Sequence, residues 1–242
     1  MKKLPFLLAA LVSLSLPGCG SREEGIRLQL KLSHQAANAT KATGTARNFT
    51  TDRQEQITLT RASITVNSVE LIPCPESTAL RWLRELSPVG TAHAHTASSP
   101  LRLGTPSVSS LERPDGEPLT LGVLRPPPGR YCRIHLVFGP ADADAEGLPV
   151  DGSMKDRTFV LEGWARPQGD DALQPFRLES SGVMNVELPL ESLALSAEQL
   201  ESEQWLTLHY DQWLNGTSAL ASDAATQVLR NVASSTAVVA SP

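Results

Sequence analysis

The residues whose spacing is most suggestive of chemistry are His93-Ala94-His95. In extended backbone, side chains two residues apart leave the same face about 6.6 Å apart along the strand. Both imidazoles can then turn toward one ion, and sets of three or four imidazoles suit Zn(II) or copper. Two of the five histidines of the chain stand in this triplet. His135 falls on the polar side of an alternating stretch, and His209 shares a strand face with Trp205, Asp211 and Trp213. The candidate metal ligands are therefore His93 and His95, with His135 or His209 completing the shell. The competing reading leaves His93 and His95 in a solvated loop and pairs His135 and His209 singly with their neighbours.

A second pattern, Asp142-Ala-Asp144-Ala-Glu146-Gly147, opens like a calcium loop, with alternating carboxylates and a glycine in sixth place. Its continuation fails the pattern. Ser153 stands where a bidentate glutamate belongs, and Pro149 stiffens the middle. The plainer interpretation is a solvated acidic loop. Enzyme signatures are missing: the sequence has no Gly-x-Ser-x-Gly elbow, no phosphate-binding glycine loop and no His-Glu-x-x-His. We expect a binding protein, not an enzyme. Sugar stacking would call on Trp82, Trp164, Trp205 and Trp213, few enough to be absorbed by the core. Trp205 and Trp213, beside His209, are the first to inspect.

The chain begins with Lys2 and Lys3, an apolar run from Leu4 to Leu16, and Leu16-Pro-Gly-Cys19. The run is too short to cross a bilayer and has the layout of a secretory signal. A small residue followed by cysteine resembles the lipobox of bacterial lipoprotein signal peptides. That resemblance implies that residues 1–18 are removed and that Cys19 carries the lipid. Residues 19–25 would be the tether, and Gly20, rather than Asp, after the cysteine implies the outer membrane of a two-membrane bacterium. The alternative is an ordinary cleaved signal with Cys19 merely nearby. With Cys19 so used, Cys74 and Cys132 remain, and in an exported protein they are most simply a disulfide. Two free thiols serving as soft metal ligands are the other possibility. The formal charge is −5, with no basic run, which argues against nucleic acid as a partner. Membrane contact is expected through the lipid alone.

The elements that must position these residues read as strands. Pro126-Pro-Pro-Gly-Arg-Tyr131 is a rigid turn, after which Cys132, Ile134, Leu136 and Phe138 alternate with Arg133, His135 and Val137. Ile26 to Leu32 alternates likewise. Ile57 to Ile72 is the longest β-rich segment, and its phase changes near Asn67-Ser68, which predicts a bulge. Further strands are expected around Val108, at 119–124, 158–164, 176–179, 183–188 and 205–214. His34 to Gln56 reads as a long exposed loop. Leu80, Leu83 and Leu86 have the spacing of a short helix over 78–86, Ser196-Ala-Glu-Gln199 that of one helical turn, and Asp223 could cap a last helix.

Eight or so short strands separated by turns predict one antiparallel β-sandwich over residues 26–242, with one or two short helices in the connections. Ile64-Thr-Val-Asn-Ser-Val-Glu-Leu71, the tryptophan after it, and Pro127-Pro-Gly-Arg-Tyr131 leading into Ile134-His-Leu-Val137 resemble a loose group of uncharacterised bacterial lipoproteins with an immunoglobulin- or prealbumin-like sandwich. We expect the Cys74–Cys132 disulfide to staple the two sheets, and the resemblance implies the fold. It implies nothing about activity, so a metal-free envelope module that recognises a protein or glycan through its loops stands as the alternative function.

Overall fold

A computed structural model describes residues 25–37, 45–75 and 98–240. The chain is mainly β and forms two sheets around a shared apolar core. The smaller sheet has the order β12 (Thr236–Val239), β11 (Glu201–His209), β1 (Arg27–Gln35) and β6 (Leu119–Leu124). β1 alternates as expected, with Leu28, Leu30 and Leu32 buried. Its pairing with β11 is parallel, whereas every other strand pair is antiparallel. The two strands lie far apart in sequence, so no tight hairpin dictates their direction.

The larger sheet is organised on β3 (Gln56–Pro73). Ile64 pairs with both Ser109 of β5 (Ser107–Ser110) and Phe159 of β8 (Phe159–Arg166). Val66 pairs with both Ser107 and Phe138 of β7 (Gly129–Phe138). One flank of β3 therefore carries β2 (Arg47–Thr50), β5 and β4 (Arg102–Leu103) in turn, and the other carries β8 and then β7. β9 (Gln174–Ser180) extends β8, and β10 (Met184–Leu195) extends β7.

The two arms diverge at the expected bulge. Asn67 is skipped in the β3–β7 register, and its Nδ2 donates to the Pro140 carbonyl at 3.3 Å. Helix α1 (Ala224–Ser234) packs against both β9 and β10, burying Val228, Leu229 and Val232. Asp223 occupies its N-cap position but makes no side-chain capping bond. Near where the arms part, Thr158 donates from its backbone N to Ser180 O and from Oγ1 to Gly182 O, each at 2.6 Å. Each fully buried Leu, Ile or Phe side chain contributes about 1.5–3 kcal/mol, so the interior set by Ile64, Leu71, Ile134, Leu136, Phe138 and Phe159 dominates the stability.

Several expectations need correction. Residues 34–56 are not one exposed loop: β2 lies within them, and His34, Arg47, Thr51 and Glu55 are buried. Four residues of β2 are too short to show a period. Ser196–Gln199 forms a turn, not a helical turn, closed by Gln199 N donating to Ser196 O at 3.1 Å. In β7 the apolar phase changes at Cys132. Tyr131 is buried in its stead, and its hydroxyl donates to the Pro127 carbonyl at 2.8 Å, closing the proline turn. Ile72 pairs with Arg133 and Pro73 with Tyr131, so Cys132 is the extra residue of a bulge. It bonds Cys74 with a Cα–Cα distance of 4.8 Å. The disulfide thus exists, but it joins adjacent strands of one sheet and does not staple the two sheets. The helix expected over 78–86 lies outside the described residues.

Candidate functional site

His135 stands where the alternation of β7 puts it, on the outer face of the large sheet, with Ile134 and Leu136 buried behind it. Across the strands its register neighbours are Glu187 of β10 and Glu70 of β3, and beyond Glu70 comes Arg102 of β4. Ser99 bridges to Arg102, so the row reads Glu187, His135, Glu70, Arg102, Ser99. Arg133 Nη1 holds Glu187 at 2.5 Å, with both side chains about half exposed. An imidazole between two carboxylates sets one borderline and two hard donors on one surface. Among the described residues, however, no three His, Cys, Asp or Glu side chains are grouped to hold a metal ion. His93, His95 and Cys19 lie outside the described residues.

His209 ends β11 on the other sheet, beside Gln35 of β1. Its Nδ1 is buried with no hydrogen-bond partner. The face expected to join it to Asp211 and Trp213 does not persist, because the chain passes into a 3₁₀ turn at Tyr210–Gln212 and Trp213 is fully buried. Trp205 is buried as well: Lys31 lies 5.1 Å over its ring, and its Nε1 donates to Glu203 at 3.2 Å.

The acidic stretch has a packing explanation. Ala141 and Ala145 are buried with Val108, Met154 and Val160 in a small second core outside β5 and β8. Asp142, Ala143, Asp144 and Glu146 are exposed around these two anchors. Asp142 Oδ1 accepts from the Asp144 amide at 3.1 Å, an Asx turn, and Glu146 bonds to β5 through its backbone. A separate cleft of about 850 Å³ opens between β10 and β12, lined mostly by aliphatic side chains such as Leu188, Leu193 and Val238.

The most concentrated polar constellation was not foreseen. Arg47 and Asp115 form an ion pair, Nε to Oδ1 3.0 Å, with both side chains fully buried. Arg47 Nη2 donates to the carbonyls of Leu111, at 2.7 Å, and Arg113. Tyr210 donates its hydroxyl to Asp115 Oδ2 at 2.8 Å, and the guanidinium lies 5.8 Å over the Tyr210 ring. His34 Nε2 is 2.9 Å from the Arg113 carbonyl, so that nitrogen carries the proton. Burial holds the His34 imidazole below its ordinary value, and the nearby Arg47 charge adds to this. Burial, with the bond to Asp115, pushes the Tyr210 phenol up. The cluster ties β1, β2, the 111–117 connection and the 3₁₀ turn together. His34, Arg47, Asp115 and Tyr210 are all buried, so the cluster holds these elements together. The sequence signal was slight: an arginine in Ala46-Arg-Asn-Phe49 and an aspartate in Pro114-Asp-Gly116.

Fold and sulfur chemistry together define a mainly β, disulfide-linked sandwich protein. No family model matches the chain, and no curated protein does. Among solved structures, MbnP from Methylosinus trichosporium has a similar outline, with a TM-score of 0.43 and 9% identity over 81% of this chain and 79% of that one. A likeness at that level decides nothing about family, ligand or activity. Among the described residues, no helix is long and apolar enough to cross a membrane.

Proposed function

We propose that this is an exported, lipid-anchored binding protein of the cell envelope, standing in the outer membrane of a two-membrane bacterium. It binds copper or zinc and does not act as a catalyst. Export is supported by the leader pattern ending at Cys19 and by the Cys74–Cys132 bond, which suits an oxidising compartment. The metal reading is carried by the position of His135 on an exposed face, in the row that ends at Ser99. Chain from residue 95 to Ser99 can extend about 14 Å. Three strand spacings of about 4.8 Å separate Ser99 from His135, a comparable span. His135 is therefore within covalent reach of the His93-x-His95 triplet, and Glu70 or Glu187 offers an oxygen ligand or a second-shell acceptor for its ring.

The test is uptake by dialysed mature protein carrying no purification tag. We expect about one equivalent of Cu(II) or Zn(II), as a single closed site requires. His93→Ala with His95→Ala should abolish uptake, and His135→Ala should weaken it. Unchanged uptake in the double variant would remove the metal reading.

A further inference from the structure

One asparagine of the chain, Asn215, precedes a glycine. Such a pair is the one most open to attack on itself, because the glycine amide can reach the side-chain carbonyl of the asparagine with no Cβ in its way. Here the pair stands on the connection from the 3₁₀ turn to α1. Gly216 is exposed, with φ +73° and open space where a Cβ would sit, and Asn215 is half-buried.

The fold clamps the peptide unit between them. Gly216 N donates to both carboxylate oxygens of Asp52, each at 3.0 Å. At the other end of the same unit, the Asn215 carbonyl accepts from Asn231 Nδ2 of α1 at 2.7 Å. Asp52 belongs to a closed turn between β2 and β3, in which Thr51 N donates to Glu55 O and Gln54 N to Thr51 O, each at 3.0 Å. Glu55, buried in that turn, accepts from Ser218 Oγ at 2.8 Å and from Ala219 N at 3.0 Å. Two acidic side chains of one turn therefore latch the 216–219 backbone. For ring closure, Gly216 N must give up its proton and turn onto Asn215 Cγ. Asp52 opposes both steps: it bonds the N–H form, and its negative charge disfavours an amide anion beside it. A carboxylate is too weak a base to take the amide proton itself.

We propose that Asn215 is a deamidation site held in check by Asp52, a latch whose release changes the chain covalently. When the turn opens, Gly216 N bonds to Asn215 Cγ, the Cγ–Nδ2 bond breaks, and the amide group leaves as ammonia with the proton from Gly216. Water then opens the cyclic imide at either carbonyl, leaving aspartate or isoaspartate. The net reaction consumes water, releases ammonia and moves no electrons. Either product sets a second carboxylate close to Asp52, and isoaspartate also lengthens the backbone by a methylene, so the 216–219 connection loses its fit to the β2–β3 turn. The histidine row takes no part.

The test uses the full chain carrying Cys19→Ser, kept soluble without its lipid and incubated at neutral pH below its melting temperature. A synthetic peptide of residues 211–219 is the unfolded reference. Digestion and mass spectrometry follow the exchange of NH2 for OH at Asn215, and chromatography separates the isoaspartyl form. The folded parent should react at least about tenfold more slowly than the peptide, the scale of one charge-assisted hydrogen bond. Asp52→Ala should recover most of that factor. Asp52→Asn, which keeps an acceptor of the same shape and drops the charge, should fall between the two. Circular dichroism at the incubation temperature separates a lost latch from a lost fold, and if Asp52→Ala fails to fold, Asp52→Asn decides. A parent as fast as the peptide, folded Asp52 variants as slow as the parent, or a signal that survives Asn215→Gln would overturn the proposal.

Discussion

Replacing Arg47 by methionine keeps much of the side-chain volume and deletes the charge. It leaves Asp115, fully buried, with the Tyr210 hydroxyl but without its counter-ion. Breaking a buried pair from one side costs about 3–5 kcal/mol, because an uncompensated charge stays inside. The carbonyls of Leu111 and Arg113 also lose their guanidinium donor. For a chain of this size each kcal/mol moves the melting temperature by about 2–4 °C, so a fall of about 6–20 °C is predicted. The reverse single change, Asp115→Leu, strands the arginine and should cost as much. The double variant Arg47→Met with Asp115→Leu removes both charges and should be less destabilised than either single, since apolar replacement of a whole buried pair is often near neutral. Urea unfolding of the mature chain with its disulfide intact, followed by tryptophan fluorescence, gives all three values. Single variants within about 1 kcal/mol of the parent would refute the argument, because exposed pairs behave that way and buried ones do not.

Two further outcomes follow from the same physics. His34 has its folded pKa lowered by burial, so the unfolded chain takes up a proton at a higher pH than the native one. Stability should be full above about pH 6.5 and fall as the pH drops below it, by no more than about 1.4 kcal/mol per pH unit for one site. His34→Gln, which can still donate to the Arg113 carbonyl, should flatten that slope in urea midpoints measured from pH 7.5 to 5; an unchanged slope would discount His34. Gly163 sits at the register shift between β3 and β8, where an added Cβ would lie 2.1 Å from the Thr58 carbonyl oxygen. Gly163→Ala must push the two backbones apart and should cost about 3 kcal/mol or more in the same assay, whereas a change under about 1 kcal/mol would mean the bulge yields freely.

Strand positions were legible wherever one face is buried along five or more residues. β1 and most of β7 alternate visibly, and the phase change in β3 marks its bulge. Short elements and long-range partners were not legible. β2 gives too few residues for a period, and Arg47 finds Asp115 across 68 positions of sequence, a contact that local pattern cannot encode. The burial of Trp205 depends in part on Lys31 arriving from the paired strand β1. The exposure of Trp164, by contrast, follows from its alternation with inward Gly163 and Ala165, a signal present in Gly163-Trp-Ala-Arg166. At Cys132 the sequence did suggest the bond, and only its placement within one sheet escaped, since a bulge shifts which residue faces inward.

That sulfur link closes a ring of chain from Cys74 to Cys132, and the ring contains β4, β5, β6 and the stretch bearing His93 and His95. A protease that nicks the backbone anywhere inside this ring opens a loop without releasing a fragment. The severed ends stay tethered through sulfur until a reductant reaches them, so under oxidising conditions a cut in the histidine-bearing stretch leaves one molecule.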